Sequence, residues 1–269
     1  MTHRIVHLWI AILLLITACQ SAPPPPTAIP LNAAVAVNNT LIQWVRSPEA
    51  ILFQADVTAG NRDTTLVGKR DVPLCTVYGD NRVVWVNELG PFNIEVLYDR
   101  IEDNVIGTFI AYLTVNERIY TYQRPDNMPE IDETAVVETI AINVNGVQHR
   151  ADGFSGWDSE WFPRVLAACR SLSQSPVLFE PNGGWLTVEN APYDPLSPAL
   201  TWNPAETGLD LAALAAQAEP SWVANAQAVT VWRLQNTQPP RFLLQQGDAY
   251  FAIALQVPGI SRTAPPPPV

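Results

Sequence analysis

The chain has 269 residues, 48% of them apolar and 15% charged, enough to bury a core and too apolar for a wholly disordered polymer. Its 26 acidic against 15 basic residues give a net charge of −11, with one lysine, Lys69, and no basic run. Such a surface repels nucleic-acid phosphates and anionic headgroups, so no nucleic-acid partner is expected.

In chain order, Arg4 with His3 and His7 forms a basic start, and Leu8 to Ala18 is an uncharged apolar run. As a helix that run is roughly 17 Å long at about 1.5 Å per residue, well short of a hydrocarbon core of about 30 Å. It therefore reads as the apolar part of an export signal, residues 1–18, rather than as a membrane span. No later stretch of about 18 apolar residues exists to span a membrane. The order Ile16-Thr17-Ala18-Cys19 resembles the lipobox of bacterial lipoprotein signal peptides. The resemblance implies cleavage before Cys19 and a diacylated glyceryl group on its sulfur, sometimes with a third chain, which anchors firmly. The expected address is the extracytoplasmic side of the cell membrane or, since Gln20 rather than Asp follows, the outer membrane of a two-membrane cell. The simpler reading is an ordinary secretory signal with an incidental cysteine. Removing Arg4, the one charge of the first eighteen residues, leaves 14 basic against 26 acidic residues, a net charge of −12.

Residues 19–39 read as a lipid-anchored Pro-rich tether. Its tetraproline Pro23–Pro26 favours polyproline II at about 3.1 Å per residue, a spacer of roughly 30 Å over residues 20–30. Pro265–Pro268 mirrors it in a tail, residues 261–269. A proline-binding partner could read such runs; a stiff, protease-resistant end is the plainer reading.

Between tether and tail the pattern predicts an α+β fold: antiparallel β-hairpins with two or three amphipathic helices packed on one face. Residues 40–175 form an α+β domain, and residues 176–260 a second α+β segment or its continuation. Ala50–Val57 reads as a strand. Asp71–Tyr78 and Arg82–Asn87 read as a hairpin whose turn uses Gly79 and Asn81, residues that tolerate positive φ. Ile101, Val105, Ile106, Phe109, Ile110 and Leu113 recur at helical spacing. Asn116–Arg124 is a strand or an extended loop. Thr134–Val144, Asn145-Gly146 and Val147–Ala151 carry the strongest hairpin signal. The next helix aligns Trp161, Val165, Ala168 and Leu172, with Asp158 or Ser159 as cap and Pro163 tolerated in the first turn. Residues 173–206 read as irregular, with Gly183-Gly184 as a turn and Trp185–Val188 as a short strand. Leu209–Ala218 reads as a helix, Ala228–Gln235 as a strand, and Arg241–Gln246 with Ala249–Val257 as a last hairpin.

The run Leu74-Cys75-Thr76-Val77-Tyr78-Gly79-Asp80-Asn81-Arg82-Val83-Val84 resembles a motif of uncharacterised bacterial envelope lipoproteins, which read Leu-Tyr-Gly-Asp-Gly-Arg-Val after an apolar strand. Asn81 replaces their glycine. The similarity covers about residues 48–90 and implies a hairpin; it implies no activity and no site residues.

Chemistry is sparse. Only His149 remains after export, on a predicted return strand, where it reads as a solvent-facing residue. No Gly-x-Ser-x-Gly, Ser-x-x-Lys or phosphate-binding glycine loop exists. Candidate carboxylates for glycoside hydrolysis are Asp158 with Glu160, or Asp99, Glu102 and Asp103, although in so acidic a chain such clusters read first as solvated faces or helix starts. Asp126, Glu130, Asp132 and Glu133 form an acidic patch without EF-hand spacing. No catalytic residue, metal or cofactor is expected. Cys75 and Cys169 form either a disulfide, which export would permit, or two separate buried thiols. Trp157, Trp185 and Trp202 lie in or beside predicted loops and are candidate ligand-stacking residues, against the alternative that they fill a core. These features favour an extracytoplasmic protein with a non-enzymatic binding or scaffolding role toward an envelope partner. The alternative is a carbohydrate-binding or glycan-hydrolysing protein that uses loop tryptophans and carboxylates.

Overall fold

A computed structural model describes residues 41–128, 135–217 and 219–268. The region Val37–Val269 is one compact unit. The fold is α+β, with twelve strands in two sheets and six α-helices among the described residues. Every strand pair is antiparallel except one parallel pair in the second sheet.

The first sheet contains β1 (Ile51–Ala59), β2 (Cys75–Tyr78), β3 (Arg82–Gly90), β4 (Asn93–Arg100), β5 (Val136–Val144), β6 (Val147–Asp152) and β7 (Val177–Leu178), in the order β6-β5-β1-β2-β3-β4-β7. Successive side chains of a strand point to opposite faces. Phe53, Ala55, Cys75, Val77, Val83, Trp85, Ile140 and Ile142 therefore share one face and one core. That core is closed by α2 (Asp103–Ala111) through Ile106, Phe109 and Ile110, and by α3 (Trp161–Arg170) through Trp161, Phe162, Val165 and Cys169. Phe53 and Phe109 meet edge to face, with centroids 5.1 Å apart. Cys75 on β2 and Cys169 on α3 are disulfide-bonded with Cα atoms 6.4 Å apart, so the helix is tied to the middle of the sheet.

The opposite face of β2–β4 carries Tyr78, Val84, Val86 and Val96, which belong to a second core. The other wall of this core is the second sheet: β8 (Gly183–Ala191), β9 (Ala199–Thr201), β10 (Ser221–Ala224), β11 (Leu243–Gln246) and β12 (Ala249–Gln256), in the order β10-β8-β12-β11-β9. Leu186, Val188, Val223, Phe251, Ile253 and Leu255 line it. Three short or medium helices complete this half: α4 (Pro204–Thr207), α5 (Leu211–Ala215) and α6 (Asn225–Thr237); α1 (Leu66–Lys69) lies in the connection between β1 and β2. The chain from 176 onward thus adds β7 to the edge of the first sheet, then builds a second sheet that covers the face opposite α2 and α3.

Several expectations are corrected. Ala228–Gln235 is part of helix α6, not a strand. Its β-branched residues suggested alternation, but Ala228, Val231, Trp232 and Gln235, spaced for one helical face, are the ones buried. The Gln235 amide accepts from Leu255 N at 2.9 Å and donates to Leu255 O at 3.2 Å. Leu255 lies beyond the paired part of β11, so Gln235 satisfies a strand edge that has no neighbour there. Gly183-Gly184 opens strand β8 instead of making a turn. A Cβ on Gly183 would lie 2.4 Å from the Trp222 ring, and one on Gly184 would lie 2.9 Å from Gln256 O, so close approach selects glycine. β4 was not anticipated; of the two readings open for 116–124 the loop is the one found, entered from a π-helical turn, Tyr112–Asn116, and containing a 3-10 turn, Ile119–Thr121. The helix expected over 209–218 is shorter, Leu211–Ala215.

Two of the three hairpin turns of the first sheet, those of β5–β6 and β2–β3, are met by the arm 41–47. Gln43 exchanges hydrogen bonds with Asn145, donating to its Oδ1 and accepting from its backbone N–H, both at 2.7 Å. Asn145 and Gly146 both have positive φ, 54° and 74°, as a two-residue hairpin turn requires. At the other turn only Asn81 has positive φ, 72°; Gly79 serves close approach instead, because a Cβ there would lie 1.9 Å from Val45 O.

The disulfide closes a 94-residue separation, so in the chain-entropy model its loss costs about 4 to 5 kcal/mol. Cys75→Ala with Cys169→Ala should lower the urea-unfolding free energy by that order while keeping native far-UV dichroism. Two free thiols in the oxidised native protein would contradict the pairing.

Candidate functional site

The second sheet has an outer face, opposite its core, on which three side chains stand in register across adjacent strands. Trp222 on β10 is opposite Trp185 on β8, and Trp185 is opposite Gln256 on β12. The two indoles pack edge to face with centroids 5.3 Å apart. Gly183, two residues before Trp185 and so on the same face, provides the space into which the Trp222 ring leans.

The C-terminal segment runs along this row. After β12 the chain turns at Val257-Pro258-Gly259-Ile260, with Gly259 at φ 69° and Ile260 N–H donating to Val257 O at 3.0 Å. Gln256 Nε2 then donates to the carbonyl and the hydroxyl of Thr263, both at 3.1 Å. Three residues later the Trp185 indole N–H donates to Pro266 O at 2.9 Å. Proline cannot donate a backbone hydrogen bond, so a tetraproline offers a partner its carbonyls and its apolar rings. Two half-buried indoles, one donating to a proline carbonyl, match both properties.

Arg262 fixes the start of this segment. Its guanidinium binds Asp56 of β1 through Nε at 2.7 Å and Nη2 at 3.1 Å, and Asp63 at 2.6 Å; its backbone N–H donates to Asp71 O at 2.9 Å. Arg62 also pairs with Asp71. The Asp56 side chain is 4% exposed and that of Arg262 is 12% exposed. Burial pushes the Asp56 carboxyl above its ordinary 3.8, and the Arg262 contacts pull against that rise. The same contacts hold Arg262 above its ordinary value against its own burial.

The residues singled out from sequence fall apart into separate places. Trp202 is 6% exposed and donates to Leu209 O at 2.9 Å; it is a core residue and is withdrawn as a ligand-stacking candidate. The Trp185 N–H is occupied by the tail. Trp157 is half-buried, stacked on Trp161 at 4.9 Å and edge-on to Tyr122 at 5.9 Å, with its N–H directed at Glu138 Oε2 at 3.3 Å. Asp158 and Glu160 form the start of α3: the Asp158 carboxylate accepts from Glu160 N at 2.9 Å. Asp99 accepts from the Ser173 hydroxyl at 2.6 Å, and Asp103 is bound by Arg46 at 2.6 and 2.7 Å. His149 is not solvent-facing; it packs half-buried and edge-on against Tyr120 at 5.3 Å, on the same face as Ile142. Glu130, Asp132 and Glu133, like Cys19 and Pro23–Pro26, lie outside the described residues. Among the described residues no group of three or more His, Cys, Asp or Glu side chains could hold a metal ion, and no helix is long and apolar enough to cross a membrane.

The Tyr-Gly-Asp-Asn-Arg turn has a structural task. Asp80 accepts from Arg82 at 2.9 Å and from Arg100 at 3.1 Å, and Asn81 donates to Ile101 O at 3.0 Å and to Asp103 at 2.6 Å. It joins the hairpin to the start of α2.

Trp222, Gln256 and Arg262 were missed by sequence reasoning. The one local signal was glycine two residues before a tryptophan in an apolar run. No protein-family model, curated protein or solved structure matches the chain.

Arg262→Ala leaves Asp56 buried without its partner, which costs about 3 to 5 kcal/mol at neutral pH. A carboxyl with a raised folded pKa binds protons in the folded state first, so the deficit should shrink as pH falls toward the ordinary 3.8. Urea unfolding at several pH values checks this. A deficit that grows on acidification would contradict it, and Asp56→Asn in the same chain should recover part of the loss.

Proposed function

We propose that this chain is a lipid-anchored extracytoplasmic protein whose folded body binds or scaffolds an envelope partner and does no catalysis. The observation that carries the address is the Cys75–Cys169 bond, which suits an oxidising compartment and accounts for both cysteines that would follow Cys19. The Ile16-Thr17-Ala18-Cys19 sequence supports the anchor. The binding role is supported by how the candidate chemical groups are used. The carboxylates of Asp99, Asp103 and Asp158 each serve a local structural contact, and His149 packs on Tyr120. Two side chains of the outer-face row, Trp185 and Gln256, hold a peptide segment, the chain's own tail.

A glycan-binding reading keeps one support. Trp157 is half-buried beside half-buried Tyr122, while its other neighbours, Trp161 and Phe162, are core residues. Retention on cell-wall glycan that is lost in Trp157→Ala would favour it.

The anchor is tested by Cys19→Ala. The wild type should partition with membranes, and the variant should move to the aqueous phase of a detergent phase separation. An unchanged distribution would contradict the proposal.

A further inference from the structure

Strands β3 and β4 run on past their neighbours. β2 pairs with β3 at Val83–Trp85 and reaches Val86 N through Leu74 O; β7 pairs with β4 at Leu97 and Tyr98, and Phe179 N reaches Val96 O. From Asn87 to Glu95 the two strands therefore form a ribbon with no described strand on either side, and residues 88–93 at its end are all exposed. Its turn is Gly90-Pro91-Phe92-Asn93, with Gly90 paired to Asn93 and Phe92 at φ 63°. We propose that this tip inserts Leu89 and Phe92 into the surface of a lipid bilayer.

The backbone points to a use outside the fold. In a turn with proline second, a third residue of positive φ is the place of glycine or asparagine, and a bulky side chain there is a genuine outlier. Phe92 is nevertheless 56% exposed and Leu89 54% exposed. The strained backbone and the apolar area in water both cost folding free energy, and the body recovers neither.

Size and charge identify the occupant. Two half-exposed side chains offer on the order of 200 Å², far below the roughly 800 Å² that each side of a stable protein interface buries. The next exposed apolar residues on this edge, Val177 and Leu178, stand opposite Tyr98 and Leu97, roughly 17 Å back along β4. A bilayer sets no such threshold, because binding to it scales with the apolar area inserted. Residues 89–93 carry no charge, and the first charges on the two strands are Glu88 and Glu95. Insertion to the depth of the turn takes in two apolar side chains and no ion, and Pro91 brings no N–H to desolvate. The two carboxylates hold the ribbon at the headgroups and favour zwitterionic over anionic ones.

The proposal deepens the envelope reading by naming a lipid surface as the body's partner, and it rests on that reading for the membrane it meets. The test uses the compact unit Val37–Val269, which lacks Cys19, so its outcome is separate from that of Cys19→Ala. Co-sedimentation with phosphatidylcholine vesicles should show weak, reversible binding that persists at about 1 M salt. Mixing in phosphatidylglycerol should weaken it at low salt. Phe92→Asn suits the left-handed backbone, so its urea midpoint should equal or exceed the parent's while its vesicle affinity falls about tenfold. Leu89→Ser with Phe92→Asn should abolish sedimentation, and Leu196→Ser, at an exposed leucine of another loop, should leave it unchanged. A parent unit that stays in the supernatant at every lipid concentration would overturn the proposal. So would binding that survives the double substitution, that Leu196→Ser weakens equally, or that salt removes. A unit that is dimeric until the double substitution makes it monomeric would assign the tip to a second copy and overturn the proposal as well.

Discussion

Val83 and Trp85 enter one core, Val84 and Val86 the other, and the pleat of a single strand divides them. Strand β2 shows the same division, with Cys75 and Val77 toward the helices and Tyr78 toward the second sheet. An antiparallel sheet often leaves one face to water. Here the middle strands cannot, because both faces are apolar, and the architecture follows from covering them. Helices α2 and α3 cover one side, and the disulfide secures α3 there. The chain from 176 onward covers the other, and in doing so forms a second sheet whose own outer face must be dealt with in turn.

The C-terminal segment deals with that face. It is tied to the first sheet by Arg262 on Asp56, 206 residues away in sequence, and to the second by Gln256 and Trp185. Removing one partner of a buried ion pair leaves an uncompensated charge, so such a pair fixes a geometry strongly even where its net contribution to stability is small. The segment is therefore tied to the body at Arg262 and Thr263 and, three residues further on, by the Trp185 indole at Pro266.

Much of this fold could be read from residues whose environment is local. The Asn145-Gly146 turn, the helical faces of α2 and α3, and the β11–β12 hairpin are set by nearby residues, and each was expected. Where long-range burial decides, local reading failed. The β-branched stretch at 228–235 became a helix because Ala228, Val231 and Trp232 fill a core made by strands distant in sequence, such as β2 through Tyr78. Gly183-Gly184 looked like a turn because only a tryptophan and a carbonyl from other strands explain it. The candidate site was legible in part. Trp185 and the proline run were both noted, but nothing in the sequence joins positions 81 residues apart. Trp202 differs from Trp185 only in its surroundings, and burial removed it.

The Tyr-Gly-Asp-Asn-Arg motif shows why a recognisable sequence pattern need not mark an active site. Its polar groups are consumed by Arg82, Arg100, Ile101 and Asp103, so it secures a hairpin to a helix. The Trp222–Trp185–Gln256 row, by contrast, becomes visible only when β8, β10 and β12 are side by side. The most direct measurement is proton NMR of the intact chain, recording cross-relaxation between the Trp185 indole N–H and the ring protons of Pro266 and Pro267, with the exchange rate of that N–H. Docking of the tail predicts those cross-peaks and an indole N–H that exchanges more slowly than a solvent-exposed one. Absent cross-peaks with free-indole exchange would contradict it.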